Sequence, residues 1–201
     1  MEKFKNKYRI PSSRLQTWDY GSNGSYFITI CTKDREHFFG EIVDREMQLN
    51  DIGKIAEQYW GEISNHFSYI QLGNFVVMPN HVHGILIIDK PNSVDGNGNT
   101  VVALVETLQC NVSTNATNAT TATNANKNEQ MAKISPKSGT ISTIVRSYKS
   151  AVSKNAHLIH TDFKWQPRFH DHIIRNAQSF ETIQKYITNK PLNWKKDKFY
   201  V

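Results

Sequence analysis

Residues 74–88 read NFVVMPNHVHGILII, and this stretch decides the architecture. NFVVM and HVHGILII are short apolar runs rich in β-branched residues, and the Pro79-Asn80 pair between them is turn chemistry. Two strands joined by so short a turn must run antiparallel, so 74–78 and 81–88 are expected to be neighbours in one sheet. The GILII run anchors the second strand in the core. His81 and His83 occupy alternate positions of that strand and therefore project from the same face. Two imidazoles placed in this way can reach one metal ion; the competing reading is a pair of histidines lining a polar rim.

Outward from this hairpin the chain alternates strand and helix patterns. Tyr26–Thr32 (YFITICT) reads as a strand. Asn50–Ile63 opens on an Asn/Asp cap and places Ile52, Ile55, Ala56, Tyr59 and Ile63 at helical spacing. Ile141–Ala156 carries Ile141, Ile144, Val145, Tyr148, Ala151 and Val152 on one helical face. Arg168–Ile174 is expected as a last strand, and Ser179–Asn189 as a helix capped by Ser179 and stopped before Pro191. The order β-α-β-β-α-β-α predicts an α+β fold: a ferredoxin-like antiparallel sheet with helices on one face and an extra C-terminal helix.

Only 38% of the 201 residues are apolar, which suggests that part of the chain does not pack. The part is visible. Between Asn111 and Asn128, 15 of 18 residues are Asn, Thr or Ala, a composition that cannot form a core. The expected organisation is one domain in two parts, 1–90 and 139–201, separated by a low-complexity, disordered insertion at 91–138. Within the insertion, Val101–Leu108 is the one apolar run, suited to a transient helix. Cys31 and Cys110 lie far apart without metal spacing and are expected to be free thiols. No run approaches the roughly 18 apolar residues of a membrane span, and MEKFKNKYRIPSSR has no apolar signal core, so a cytoplasmic, nucleoid-associated protein is expected.

The net charge of +6 is unevenly spread. Residues 1–25 hold 5 basic and 2 acidic side chains, residues 26–89 hold 4 and 9, and residues 140–201 hold 11 and 4. Positive charge thus collects at the two ends, either as a solvated face or as one phosphate-binding surface. Tyr148, Trp165, Tyr186 and Trp194 lie among the C-terminal charges, a mixture that suits single strands or hairpins, whose bases can stack.

The context MPNHVHGILII resembles the His-hydrophobe-His motif of single-tyrosine transposases, and the branch it is most similar to is the REP-associated tyrosine transposases, relatives of the insertion-sequence-200 type. YFITICTKDREHFFG looks like that family's first strand and loop, LNDIGKIAEQYW like its first helix, and WQPRFHDHIIRN (165–176) like its most characteristic block. Ser179–Trp194 looks like the helix that carries the nucleophile. The resemblance covers nearly the whole chain outside the insertion, with its blocks in order.

What the resemblance implies is specific. Tyr186, some ten residues after Arg175-Asn176, would be the nucleophile, with Tyr148 as the competing tyrosine. His81 and His83 would hold a divalent metal, Mg²⁺ or Mn²⁺. The third ligand of relatives is a Gln or Asn one helical turn after the tyrosine; here that position is Lys190, so Asn189, a water or a carboxylate would have to complete the shell. Arg146, Lys149, Arg168, His172, Arg175, Lys185 and Lys190 are the candidate DNA contacts, and His170, Asp171 and His172 belong to the characteristic block. The implied activity is nicking and rejoining of single-stranded, hairpin-flanked DNA through a tyrosine-linked 5′ phosphate, by a homodimer, in DNA transposition. Two alternatives stay open: a cleavage-deficient DNA-binding relative, for which Lys190 is the motive, and a replication initiator or relaxase of the same chemistry.

Overall fold

A computed structural model describes residues 14–94, 100–102 and 137–200. In chain order the described elements are β1 (Gly24–Cys31), β2 (Gly40–Val43), β3 (Glu46–Leu49), α1 (Asp51–Gly61), the one-turn α2 (Ile63–His66), β4 (Ile70–Met78), β5 (His81–Ile88), β6 (Asn92–Val94), β7 (Thr100–Val102), α3 (Ile141–Ala156), β8 (His170–Ile174) and α4 (Ala177–Thr188). A 3-10 segment, Pro191–Lys196, follows α4.

The main sheet is antiparallel, in the order β4-β5-β1-β8. The first and third strands of the βαββαβ unit therefore lie at the centre and the second and fourth at the edges. This is the expected α+β, ferredoxin-like arrangement.

Period-two alternation gives the sheet two different faces. Tyr26, Ile28 and Ile30 stand opposite Leu86, Gly84 and Val82 in the register of β1 with β5. This face is buried under α1, through Ile52, Ala56 and Trp60, and under α3, through Ile144, Val145, Tyr148 and Val152. Gly84 is required by that packing, since a Cβ there would stand 2.3 Å from Trp60 Cζ2. The other face carries Phe27, Thr29 and Cys31 opposite Ile85, His83 and His81. Here Ile187, Phe180 and Ile183 of α4 pack with Ile85 and Ile174, and Trp194 and Phe199 pack with Met78. The C-terminal helix thus lies on the face that presents the histidines.

Several boundaries differ from the sequence reading. The second strand begins at Ile70 rather than Asn74, and the last at His170 rather than Arg168, because Arg168 adopts a left-handed φ of 69° that ends pairing. The cap of α4 is Asn176, whose side chain accepts from the Ser179 amide; Ser179 is the donor and not the cap. The β2–β3 hairpin was not anticipated. Its turn residues Asp44 and Arg45 take φ of 50° and 68°, the left-handed pair of a tight hairpin, without the Asn-Gly or Asp-Gly that usually announces one.

The proposed insertion falls mostly outside the described residues. At its start, β6 and β7 pair antiparallel, and Val101-Val102 of the expected helical run belong to β7. Cys110 lies outside the described residues, and Cys31 is a free thiol. No helix among the described residues is long and apolar enough to cross a membrane.

Candidate active site

The Pro79-Asn80 turn does more than reverse the chain. Asn80 is fully buried, and its amide nitrogen donates to the carbonyls of Arg35 (3.1 Å) and Phe199 (2.9 Å). That leaves its Oδ1 as an acceptor, 2.8 Å from His81 Nδ1. His81 must therefore carry its proton on Nδ1 and keep the Nε2 lone pair free. On the next position of the same face, His83 Nδ1 meets the Thr29 hydroxyl at 2.9 Å. Both rings are thus oriented through Nδ1, the arrangement by which a second ring of partners fixes metal-binding histidines.

Both imidazoles are almost completely buried, 0% and 1% exposed. Burial holds each well below the ordinary histidine value; for His81 the neighbouring His83 and the Lys190 ammonium add to the effect, and for His83 Lys190 and Lys198 do. They are neutral, the form that binds metal.

α4 brings Tyr186 over this pair. Its hydroxyl lies 3.5 Å from His83 Nε2 and accepts a hydrogen bond from Lys190 Nζ, one helical turn on. Lys190 is 5% exposed, and its ammonium is 2.8 Å from Asp197 Oδ2, close enough for an ion pair but out of line for a hydrogen bond. Asp197 Oδ1 accepts from the Phe199 amide at 3.0 Å. The same Oδ2 stands 3.8 Å from His81 Nε2, a buried nitrogen without a hydrogen-bond partner. The structure thus brings together His81, His83, Tyr186 and Lys190, and adds Asp197.

The remaining sequence candidates are distributed differently. Tyr148 is 3% exposed, donates to the Ala56 carbonyl at 3.0 Å, and has its phenol pushed far up by burial. It is a core tyrosine. Asn189 is exposed at the end of α4, where its carbonyl accepts from Asn193. Lys149 clamps the 166–168 loop, donating to the carbonyls of Gln166 (2.7 Å) and Arg168 (3.2 Å), and burial lowers its ammonium below the usual lysine value. Arg146, Arg168, His172, Arg175 and Lys185 are exposed. His170 and His172 pair with Thr29 and Phe27, which puts them on the histidine face at the β8 edge. Asp171 points the other way and binds Arg14 at 2.8 Å.

A cleft between the sheet face and the C-terminal segment is lined by Arg35, Arg168, His170, Lys198 and the ring of Phe199. That ring lies 4.5 Å from His81 by centroids, so the basic cleft opens directly beside the imidazole pair.

The donor chemistry suits a divalent cation: two neutral imidazoles, that of His81 with its tautomer fixed by Asn80 and its Nε2 buried and unpartnered. As they stand, however, no three His, Cys, Asp or Glu side chains among the described residues form a ready cage for a metal ion. The nearest carboxylate, Asp197, is engaged by Lys190.

A Haemophilus influenzae protein, itself uncharacterized, is 36% identical over 194 residues, covering 94% of this chain and 92% of that one. The chain belongs to that protein's family. No family model matches. Among solved structures, a REP-associated tyrosine transposase bound to a REP hairpin aligns with 95% of this chain and 76% of its own, at a TM-score of 0.52 and 16% identity. At that identity the likeness is one of fold, and the fold is transposase-like.

Asp197, Asn80 and Thr29 were missed by sequence reasoning. Asp197 had a faint signal, as the one acid in the run KKDK.

Proposed function

We propose that the protein is a transposase-like nuclease that nicks and rejoins single-stranded, hairpin-flanked DNA through a tyrosine-linked 5′ phosphate, acting as a homodimer in DNA transposition. The observation that carries this reading is the position of Tyr186. It is a half-exposed phenol, 3.5 Å from His83 Nε2 and hydrogen-bonded by an ammonium, over an imidazole pair that packs against Phe199 of the basic cleft. The fold shared with a transposase solved with a hairpin supports DNA as the partner.

The residues divide the work. Arg35, Arg168 and Lys198 suit the strand's phosphates. Tyr186 Oη would attack phosphorus, forming an O–P bond as the P–O3′ bond breaks; the phenolic proton is lost and the departing 3′ oxygen gains one. The Lys190 ammonium, hydrogen-bonded to the Tyr186 hydroxyl, would offset the negative charge that gathers on this oxygen as its proton leaves. His81 and His83 would hold a divalent cation, Mg²⁺ or Mn²⁺, which when bound polarises the phosphate and offsets its growing charge. The ester retains the energy of the broken bond, so a 3′ hydroxyl can reverse the step without ATP.

The Lys190–Asp197 ion pair favours one alternative, a relative that binds the same DNA without cutting it. Labelled single-stranded hairpin DNA from the gene's own flanks, incubated with the protein and Mn²⁺, separates the two. The nuclease gives a protein–DNA adduct that survives denaturation and releases a fragment ending in a 3′ hydroxyl. Tight binding with no adduct at any time point would replace this reading with the alternative.

A further inference from the structure

We propose that Asp197 is the third protein donor of a cation site on His81 and His83, and that Lys190 is the counter-ion that holds this carboxylate when no metal is bound. The inference rests on the reading that the histidine pair binds a divalent cation, and it adds a residue from the far end of the chain.

The geometry is specific. His81 Nε2 is buried, has no hydrogen-bond partner, and faces Asp197 Oδ2 at 3.8 Å. Two donors that share one ion at about 2.1 Å stand about 3.0–3.5 Å apart, so a shift of a few tenths of an ångström closes the pair on a cation. Asp197 is aimed rather than loose: its side chain is 1% exposed, and the Phe199 amide takes Oδ1 at 3.0 Å, leaving Oδ2 for the site. A carboxylate is also the donor type that Mg²⁺ and Mn²⁺ favour.

Lys190 explains why the three donors are not already gathered. A carboxylate this deeply buried is costly unless a positive charge lies beside it. The Lys190 ammonium supplies that charge at 2.8 Å and at the same time binds the Tyr186 hydroxyl. A divalent ion arriving at Oδ2 would take over the same carboxylate, and the ammonium, repelled by it, would keep Tyr186 as its partner. Metal and Lys190 then compete for one oxygen.

Manganese affinity reads this without reference to cleavage. Mn²⁺ binding is followed by the loss of its free-ion electron paramagnetic resonance signal in the full chain. The proteins compared are wild type, His81→Ala, Asp197→Asn, Lys190→Met and the double variant Lys190→Met/Asp197→Asn. Asp197→Asn is expected to weaken binding about tenfold or more, and Lys190→Met to tighten it severalfold. Asp197→Asn leaves an ammonium buried without a counter-charge and can unfold. The double variant has no such charge, and it should bind as weakly as Asp197→Asn. Wild-type affinity in the double variant, or weaker binding in Lys190→Met, overturns the inference. If His81→Ala loses binding while both asparagine variants keep it, only the role of Asp197 fails. If the wild type itself binds no Mn²⁺, the cation reading of the histidine pair fails with it.

Discussion

Gly84→Ala should destabilise the protein through a contact on the face of β5 opposite the histidines. The added Cβ would lie 2.3 Å from Trp60 Cζ2, 2.7 Å from Cε2 and 2.9 Å from Phe75 Cβ. Carbon atoms settle about 3.5–4.0 Å apart, so the indole must retreat by more than about 1 Å. It has little room to do so. Trp60 is 0% exposed, stacked on Phe75 at 6.0 Å and edge-on to Tyr148 at 5.2 Å. Overpacking of this kind costs about 1–3 kcal/mol, and the lower backbone entropy of Ala returns about 0.5–1 kcal/mol. The net loss is placed at about 1 kcal/mol, which for a domain of this size lowers Tm by about 2–4 °C. Differential scanning calorimetry measures it. Adding Trp60→Leu should cost less in the Gly84→Ala background than in the wild type, because the two changes share one contact. A Tm unchanged to within about 1 °C, or strict additivity of the pair, would refute the reasoning.

Tyr148→Phe deletes a buried hydroxyl that donates to the Ala56 carbonyl, and should lower stability by about 1–2 kcal/mol in urea unfolding while leaving any DNA adduct intact. Stability should also depend on pH with a definite sign. His81 and His83 are held neutral by burial, so the unfolded chain takes up protons that the native state refuses. Their contribution is complete above a pH of about 6.5 and declines as pH falls below it, by up to about 1.4 kcal/mol per pH unit for each imidazole; urea midpoints between about pH 5 and about pH 8 check this. Replacing residues 103–136, which lie outside the described residues, by a short Gly/Ser linker should leave Tm within about 2 °C, since 15 of the 18 residues at 111–128 are Asn, Thr or Ala, a composition that cannot form a core.

The fold was legible because its signals are local. The histidine strand, the α1 cap at Asn50 and the helical faces of α1 and α3 are written in spacing, and the structure keeps all of them. The β2–β3 hairpin was not legible, since its turn uses Asp44 and Arg45 in a conformation that usually calls for Gly or Asn. Of the site, the imidazole pair followed from alternation along one strand. Tyr186, its preference over Tyr148, and the place of Lys190 one turn later came only from the family resemblance. Asn80, Thr29 and Asp197 act across the sheet or from the far end of the chain. Asp197 is 116 positions from His81, and nothing in the composition of KKDK says that its acid turns inward. The sense of Lys190 was equally hidden: a lysine one turn from a tyrosine can face solvent or phosphate, and only the packing of the 191–200 segment buries it against a carboxylate.

The central claim is that Tyr186 becomes covalently joined to DNA. Its most direct test is to trap the product of single-stranded hairpin DNA with Mn²⁺, digest with nuclease and trypsin, and locate the residual nucleotide by tandem mass spectrometry. The account predicts a phosphodiester-linked nucleotide on Tyr186, in the peptide that begins after Lys185, and its disappearance in Tyr186→Phe. A nucleotide on any other residue, or an adduct that persists in Tyr186→Phe, would contradict it.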